Sequence, residues 1–99
     1  MRQLQDTATP QRGEFIYWVH FDLPTPYAVD GDGYLARDFF FHSLAAIYDR
    51  FTAPEIGCAV DRLYAVGVGR GVPYHNARRS VTIRRTIIYR KKHRFPQKR

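Results

Sequence analysis

Acidic residues are missing from more than a third of this chain. All nine Asp and Glu side chains lie in residues 1–61, whereas residues 62–99 contain 12 Lys or Arg and no acid. The first segment therefore has a net charge of −5 and the second +12, which together give the formal charge of +7. Like charges at this density repel one another unless a polyanion offsets them. The sequence predicts an anionic partner, with nucleic acid as the leading candidate.

Cysteines and long apolar runs are also scarce. Cys58 is the only cysteine, so an intrachain disulfide is excluded and nothing indicates an oxidising compartment. No stretch approaches the ~18 apolar residues of a membrane span. The first residues lack the apolar run of a signal peptide. We therefore expect an intracellular, cytoplasmic protein that does not contact a membrane.

Metal ligands are few and poorly spaced. The four histidines lie far apart and show no zinc-binding spacing. Residues 30–35, Asp-Gly-Asp-Gly-Tyr-Leu, resemble the middle of an EF-hand calcium loop, where carboxylates alternate, Gly makes the turn and an apolar residue follows. Aligned on Gly33, however, the first and twelfth ligand positions are Ala28 and Phe39, and neither can coordinate calcium through a carboxylate. We expect no metal and no cofactor, and interpret residues 30–35 as a helix-capping turn.

Hydrophobic and aromatic residues are plentiful enough to form a core. They make up 44% and 15% of the 99 residues, which suits one domain with a modest core. The composition predicts a flexible arm over residues 1–12, a single domain over 13–90 and a basic tail over 91–99. Low periodicity marks the arm, and the tail combines dense positive charge with Pro96.

Hydrophobic periodicity predicts a small α+β domain. Alternation indicates strands over residues 14–23 and 80–90, and a Val, Leu and Tyr-rich composition suggests another over 59–68. Arg85 falls on the packing parity of the last strand, so we expect a bulge there or a strand that extends past the core. Residues 34–51 fit one amphipathic helix with Asp32 as N-cap and a stop at Pro54; its apolar stripe comprises Phe40, Leu44, Ile47 and Phe51. The predicted order is β-α-β-β, with the helix packed on a mainly antiparallel three-stranded sheet.

The basic strand and tail are the strongest candidate site. Cations there alternate with Tyr89 and Phe95, and such a mixture suits a single-stranded nucleic acid, whose phosphates pair with cations while its bases stack on rings. We expect a non-enzymatic RNA-binding or single-stranded DNA-binding protein, RNA favoured, such as a ribonucleoprotein or ribosomal component. The predicted binding residues are Arg70, Arg78, Arg79, Arg84, Arg85, Tyr89, Arg90, Lys91, Lys92, Arg94 and Phe95.

Two other functions fit the sequence. A protein–protein interaction module, such as a phage-type inhibitor or an assembly subunit, would dock its basic half on an acidic protein surface. Ile16 and Trp18, on the second face of the first strand, favour this alternative because exposing them is costly. The third is a small RNase in which Tyr74 and His75 supply acid–base groups beside Arg78 and Arg79. A solvated basic face without a partner is the simplest interpretation of the charge.

Overall fold

The structure, a computed structural model, describes residues 13–89 and has an α+β fold, as the sequence predicts. The predicted arm and tail lie outside the described residues. Four strands form one sheet: β1 (Gly13–Phe21), β2 (Asp38–Phe41), β3 (Tyr74–Asn76) and β4 (Val81–Tyr89). Three short α-helices and a 3-10 helix separate β2 from β3: α1 (Leu44–Arg50), α2 (Ala53–Ile56), α3 (Val60–Val66) and the 3-10 helix (Val68–Arg70).

The sheet is antiparallel throughout, with strand order β2-β1-β4-β3. Its centre is the long pair β1 and β4, in which Gly13 lies opposite Tyr89 and Phe21 opposite Val81. Because side chains alternate along a strand, each strand presents one set of residues to the helices and the other set to the opposite face.

The core lies between the helices and one face of the sheet. Val19 and Ile83, opposite each other on β1 and β4, are fully buried together with Leu63 of α3. Phe51, just after α1, packs edge-to-face against Phe21 with ring centres 5.4 Å apart. Burying a side chain of this size contributes roughly 1.5–3 kcal/mol, and these residues belong to one core cluster that also includes Ile47, Ile56 and Val68.

The helix predicted over residues 34–51 is wrong in its first half. Strand β2 occupies Asp38–Phe41, and α1 starts only at Leu44. Three consecutive phenylalanines favour a strand, where alternate rings can reach opposite faces of the sheet. Phe39 accordingly packs on the core, whereas Phe40 is 61% exposed and does not belong to it.

The predicted N-cap is also wrong. Ser43 caps α1, because its side chain accepts a hydrogen bond from the Ala46 N–H. Residues 30–34 form a turn instead, in which Asp30 Oδ1 accepts from the backbone N–H groups of Asp32 and Tyr34 at 2.9 and 3.0 Å. This local bonding is the usual role of Asp in a turn.

The strand predicted over residues 59–68 is a helix. Helix α3 spans Val60–Val66 and ends at Gly67, whose φ of 97° lies in the left-handed region that favours glycine. Composition was misleading here, since the apolar residues Val60, Leu63 and Val66 recur every three positions, which is a helical spacing. The second partner of β4 is β3 instead, and β2 adds a fourth strand to the three that the sequence predicts.

The first and last predicted strands are present as β1 and β4. Their register is unbroken past Arg85, which pairs with Tyr17, so the bulge considered for this position does not occur. Arg85 is accommodated on the helix side because its guanidinium lies 4.0 Å over the Phe15 ring and donates to the Gly69 carbonyl at 3.0 Å.

Candidate nucleic-acid interface

The second face of the sheet, the helix-free face, brings residues from all four strands together in rows. One row crosses the whole sheet and contains Asp38, His20, Thr82 and His75, which we call the polar row. The neighbouring row, two residues further along each strand, contains Phe40, Trp18 and Arg84, which we call the aromatic row. Directly opposite side chains in such rows have Cβ atoms about 4.5–5.5 Å apart and interact.

A hydrogen-bonded cluster forms one end of the polar row. His20 Nδ1 lies 2.7 Å from Asp38 Oδ1, and the Trp18 indole N–H donates to the same oxygen at 2.8 Å. The His20 hydrogen bond is the main reason that the pKa of Asp38 is lower than usual; slight burial opposes the shift, and the indole bond adds to it. His20 Nε2 lies 3.5 Å from Asp22 Oδ1, longer than a good hydrogen bond.

The other end of the polar row is simpler. His75 Nδ1 and Thr82 Oγ1 are 2.9 Å apart, and His75 is exposed on the edge strand β3. This bond fixes the ring orientation and leaves Nε2 with no partner among residues 13–89. Within the same part of the chain, no group of three or more His, Cys, Asp or Glu side chains could hold a metal ion.

The aromatic row combines two rings with a cation. Phe40 is exposed, Trp18 is half-buried, and Arg84 is exposed with no side-chain partner in the described part of the chain. Rings and guanidiniums both stack on nucleic-acid bases, and a guanidinium also pairs with phosphate. The row can therefore hold a base and a phosphate side by side.

Ile16 marks the apolar end of the helix-free face. It is only 4% exposed and, with Phe40, His42 and Ile88, lines a cavity of about 80 Å³. Trp18, the other residue that suggested a protein partner, is half-buried, and its indole N–H is satisfied by Asp38. The alternative of a protein partner assumed that Ile16 and Trp18 are exposed to solvent, and neither side chain is exposed to that extent.

The predicted binding residues are divided between surfaces. Arg84 lies on the helix-free face, whereas Arg85 and Tyr89 have the opposite parity on β4, and Arg70 is exposed at the end of the 3-10 helix. The structure thus separates the neighbours Arg84 and Arg85. Arg90, Lys91, Lys92, Arg94 and Phe95 lie outside the described residues.

Arg78 and Arg79 lie in the turn between β3 and β4. They line a groove of about 590 Å³ together with Ala53, Pro54, Gly57, Cys58 and Asn76. No acidic residue lines this groove. Both guanidiniums are exposed, and neither has a side-chain partner in the described part of the chain, so the groove wall is positively charged.

Tyr74 and His75, proposed from the sequence as the acid–base groups of one RNase site, do not lie at the same site. Adjacent residues on β3 point to opposite faces, so Tyr74 is buried among the helices, where its hydroxyl contacts the Ile56 carbonyl and the Asn76 side chain. The pKa of Tyr74 is raised above its usual value, mainly because the side chain is buried. His75 instead joins His20 and Asp38, which the sequence reasoning missed. Alternation over residues 14–23 places His20 beside Trp18, but Asp38 is found only once β2 is recognised.

The charge of the described residues is balanced. Residues 13–89 contain eight Arg and eight Asp or Glu, yet both ion pairs found among them involve His20. None of these arginines is paired with a carboxylate in this part of the chain, although Arg37, Arg50 and Arg85 donate to backbone carbonyls. No helix within residues 13–89 is long and apolar enough to cross a membrane.

The chain matches no protein-family model, no curated protein and no solved structure.

Proposed function

We propose that this protein binds single-stranded nucleic acid, RNA in preference to DNA, on the helix-free face of its sheet. The observation that supports this most strongly is the aromatic row. Phe40, Trp18 and Arg84 lie side by side on three adjacent strands, on a face that the described helices leave uncovered. Stacking of one base on such a ring contributes about 1–3 kcal/mol and tolerates any sequence.

The shape of the face favours a single strand over a duplex. An uncovered sheet face offers a platform for splayed bases, whereas bases in a duplex are already stacked on one another. The longest α-helices in residues 13–89 have only seven residues, which is too short for a helix that reads a major groove.

Basic residues that flank β4 in the sequence would supply the phosphate contacts. Arg78 and Arg79 lie in the turn that leads into β4, and Lys91, Lys92 and Arg94 follow the end of that strand in sequence. The proposed strand would therefore run along β4, starting from the turn that holds Arg78 and Arg79. A component of a ribonucleoprotein or of the ribosome fits this combination of small size and charge.

An acidic protein surface would be attracted by the same charge, but it would not need the rings. Substitution of Phe40 distinguishes a nucleic-acid partner, which needs the ring, from an acidic protein partner, which does not. Because Phe40 is exposed, removing its ring should leave the core unaffected. Tyr64 offers a matched control, as it is similarly exposed on α3, on the helix side of the sheet.

The fluorescence of Trp18, the only tryptophan, reports directly on the helix-free face. Titration with a single-stranded RNA should change this fluorescence, and Phe40→Ala should weaken binding roughly 5-fold to 150-fold, as expected for the loss of one stacked base. Tyr64→Ala should bind as the parent does. Equal affinities of the two variants would refute this face as the site, and equally tight binding of polyglutamate would favour the acidic protein partner.

A further inference from the structure

The polar row places two histidines on either side of a narrow strip of the face where the proposed RNA would lie. His20 on β1 and His75 on β3 are separated by Thr82 on β4. Two strand spacings amount to about 9–10 Å between backbones, which is room for one phosphodiester with a hydrogen bond at each end. Each imidazole is held by a partner of its own, Asp38 for His20 and Thr82 for His75.

We propose that the helix-free face cleaves the RNA it binds, by attack of a 2′-OH on the adjacent phosphodiester, with His20 as general base and His75 as general acid. This inference rests on the proposed function, because the strand must first lie across the polar row. It goes beyond binding, since it assigns a reaction to residues that binding does not need.

His20 has the contacts of a general base. When its Nδ1–H donates to Asp38, Nε2 carries the lone pair that can accept a proton from a 2′-OH. The carboxylate then stabilises the imidazolium that forms, which is the role an Asp plays beside a catalytic His. The contact of 3.5 Å between Nε2 and Asp22 is loose enough for a hydroxyl to replace it.

His75 has the contacts of a general acid. As an imidazolium it donates Nδ1–H to Thr82 Oγ1 and presents Nε2–H outward, towards a leaving oxygen. Arg84 follows Thr82 by two residues on the same face, so its guanidinium can stabilise the charge that develops on the pentavalent phosphate. Asp38 and Thr82 are positioning residues in this scheme.

The reaction balances without a further reactant. The 2′-O–P bond forms and the P–O5′ bond breaks, while the 2′-OH proton passes to His20 and the His75 proton passes to the 5′ oxygen. The products are a 2′,3′-cyclic phosphate and a 5′-hydroxyl, and exchange with solvent restores both histidines. This constellation differs from the RNase suggested by the sequence, since Tyr74 lies on the other face of the sheet.

The test compares cleavage with binding in the full chain. A single-stranded RNA and its 2′-deoxy counterpart are incubated with the parent, His20→Gln, His75→Gln and the control Tyr64→Ala, whose ring is exposed on α3, on the helix side of the sheet. The parent should cut the RNA alone and leave 2′,3′-cyclic phosphate ends. His20→Gln and His75→Gln should each lower the rate about 100-fold or more, as expected for the loss of a general acid or base, whereas Tyr64→Ala should retain it.

Binding of the 2′-deoxy strand, followed through Trp18 fluorescence, separates the two proposals. If all four proteins bind it but none cuts RNA, the cleavage proposal is overturned and the binding proposal stands. If the parent binds neither strand, both are overturned. A rate that is equal in the parent and in the His20 and His75 variants would identify a contaminating nuclease and also overturn the inference.

Discussion

At the scale of single residues, Gly57 shows how tightly the groove wall is built. Its φ of 100° ends α2 in a conformation that other residues rarely adopt, and an added Cβ would lie 2.2 Å from Asn76 Nδ2. Asn76 in turn donates to the Tyr74 hydroxyl and accepts from the Arg79 N–H. Gly57 therefore positions the turn that presents Arg78 and Arg79.

Gly57→Ala should lower the free energy of unfolding by more than about 1 kcal/mol, because both the backbone strain and the clash with Asn76 act in the same direction. Gly31→Ala is the control, since Gly31 has no positive φ and an added Cβ would meet nothing within 4 Å. Chemical denaturation of the parent and both variants measures the difference. Equal stability of the two variants would show that the turn adapts without cost.

At the scale of secondary-structure elements, the long strands were predictable and the segment between them was not. β1 and β4 each keep one largely apolar parity along their nine residues, interrupted in β4 by Arg85, so local sequence is sufficient. Phe40, Leu44, Ile47 and Phe51 have helical spacing by coincidence, whereas β2 forms because it pairs with β1 about twenty residues away. A local pattern cannot report a distant partner.

The short helices could have been found from their caps. Thr52 and Glu55 form a capping box around α2, in which each side chain accepts from the other residue's backbone N–H. This Thr-x-x-Glu pattern is visible in the sequence. For α3, the left-handed Gly67 is an equally local stop signal. What sequence cannot supply is the cross-strand neighbourhood of His20, Asp38 and His75.

Leu44 and Phe40 distinguish the fold found here from the single long helix. Leu44→Ala should lower the free energy of unfolding by roughly 2–5 kcal/mol, because Leu44 is 3% exposed in the core. Phe40→Ala should change it by less than about 0.5 kcal/mol, since its ring is on the surface. A single helical stripe over residues 34–51 would make both changes costly, so a thermal or urea denaturation curve of each variant separates the two arrangements.

At the scale of the whole molecule, the charge surplus and the ring-bearing face belong to different parts of the chain. Residues 13–89 have equal numbers of Arg and acidic residues, whereas residues 90–99 contain six Lys or Arg and no acid. Affinity from the face should therefore depend mainly on stacking, which salt affects little, and affinity from the last residues should depend strongly on salt.

A salt titration of RNA binding tests this division of roles. If about five cations touch phosphates, the slope of log K against log salt should be near −3.5, from about −0.7 per phosphate on a single strand. The double substitution Lys91→Gln with Lys92→Gln should then reduce the slope by about 1.4, while Phe40→Ala lowers affinity without changing the slope. Arg62→Gln, a charge loss on α3 on the helix side, is the control and should leave the slope at the parental value. An unchanged slope in the double variant would place the phosphates on the arginines of the described sheet and turn instead, and an equal change in Arg62→Gln would mean that only net charge matters.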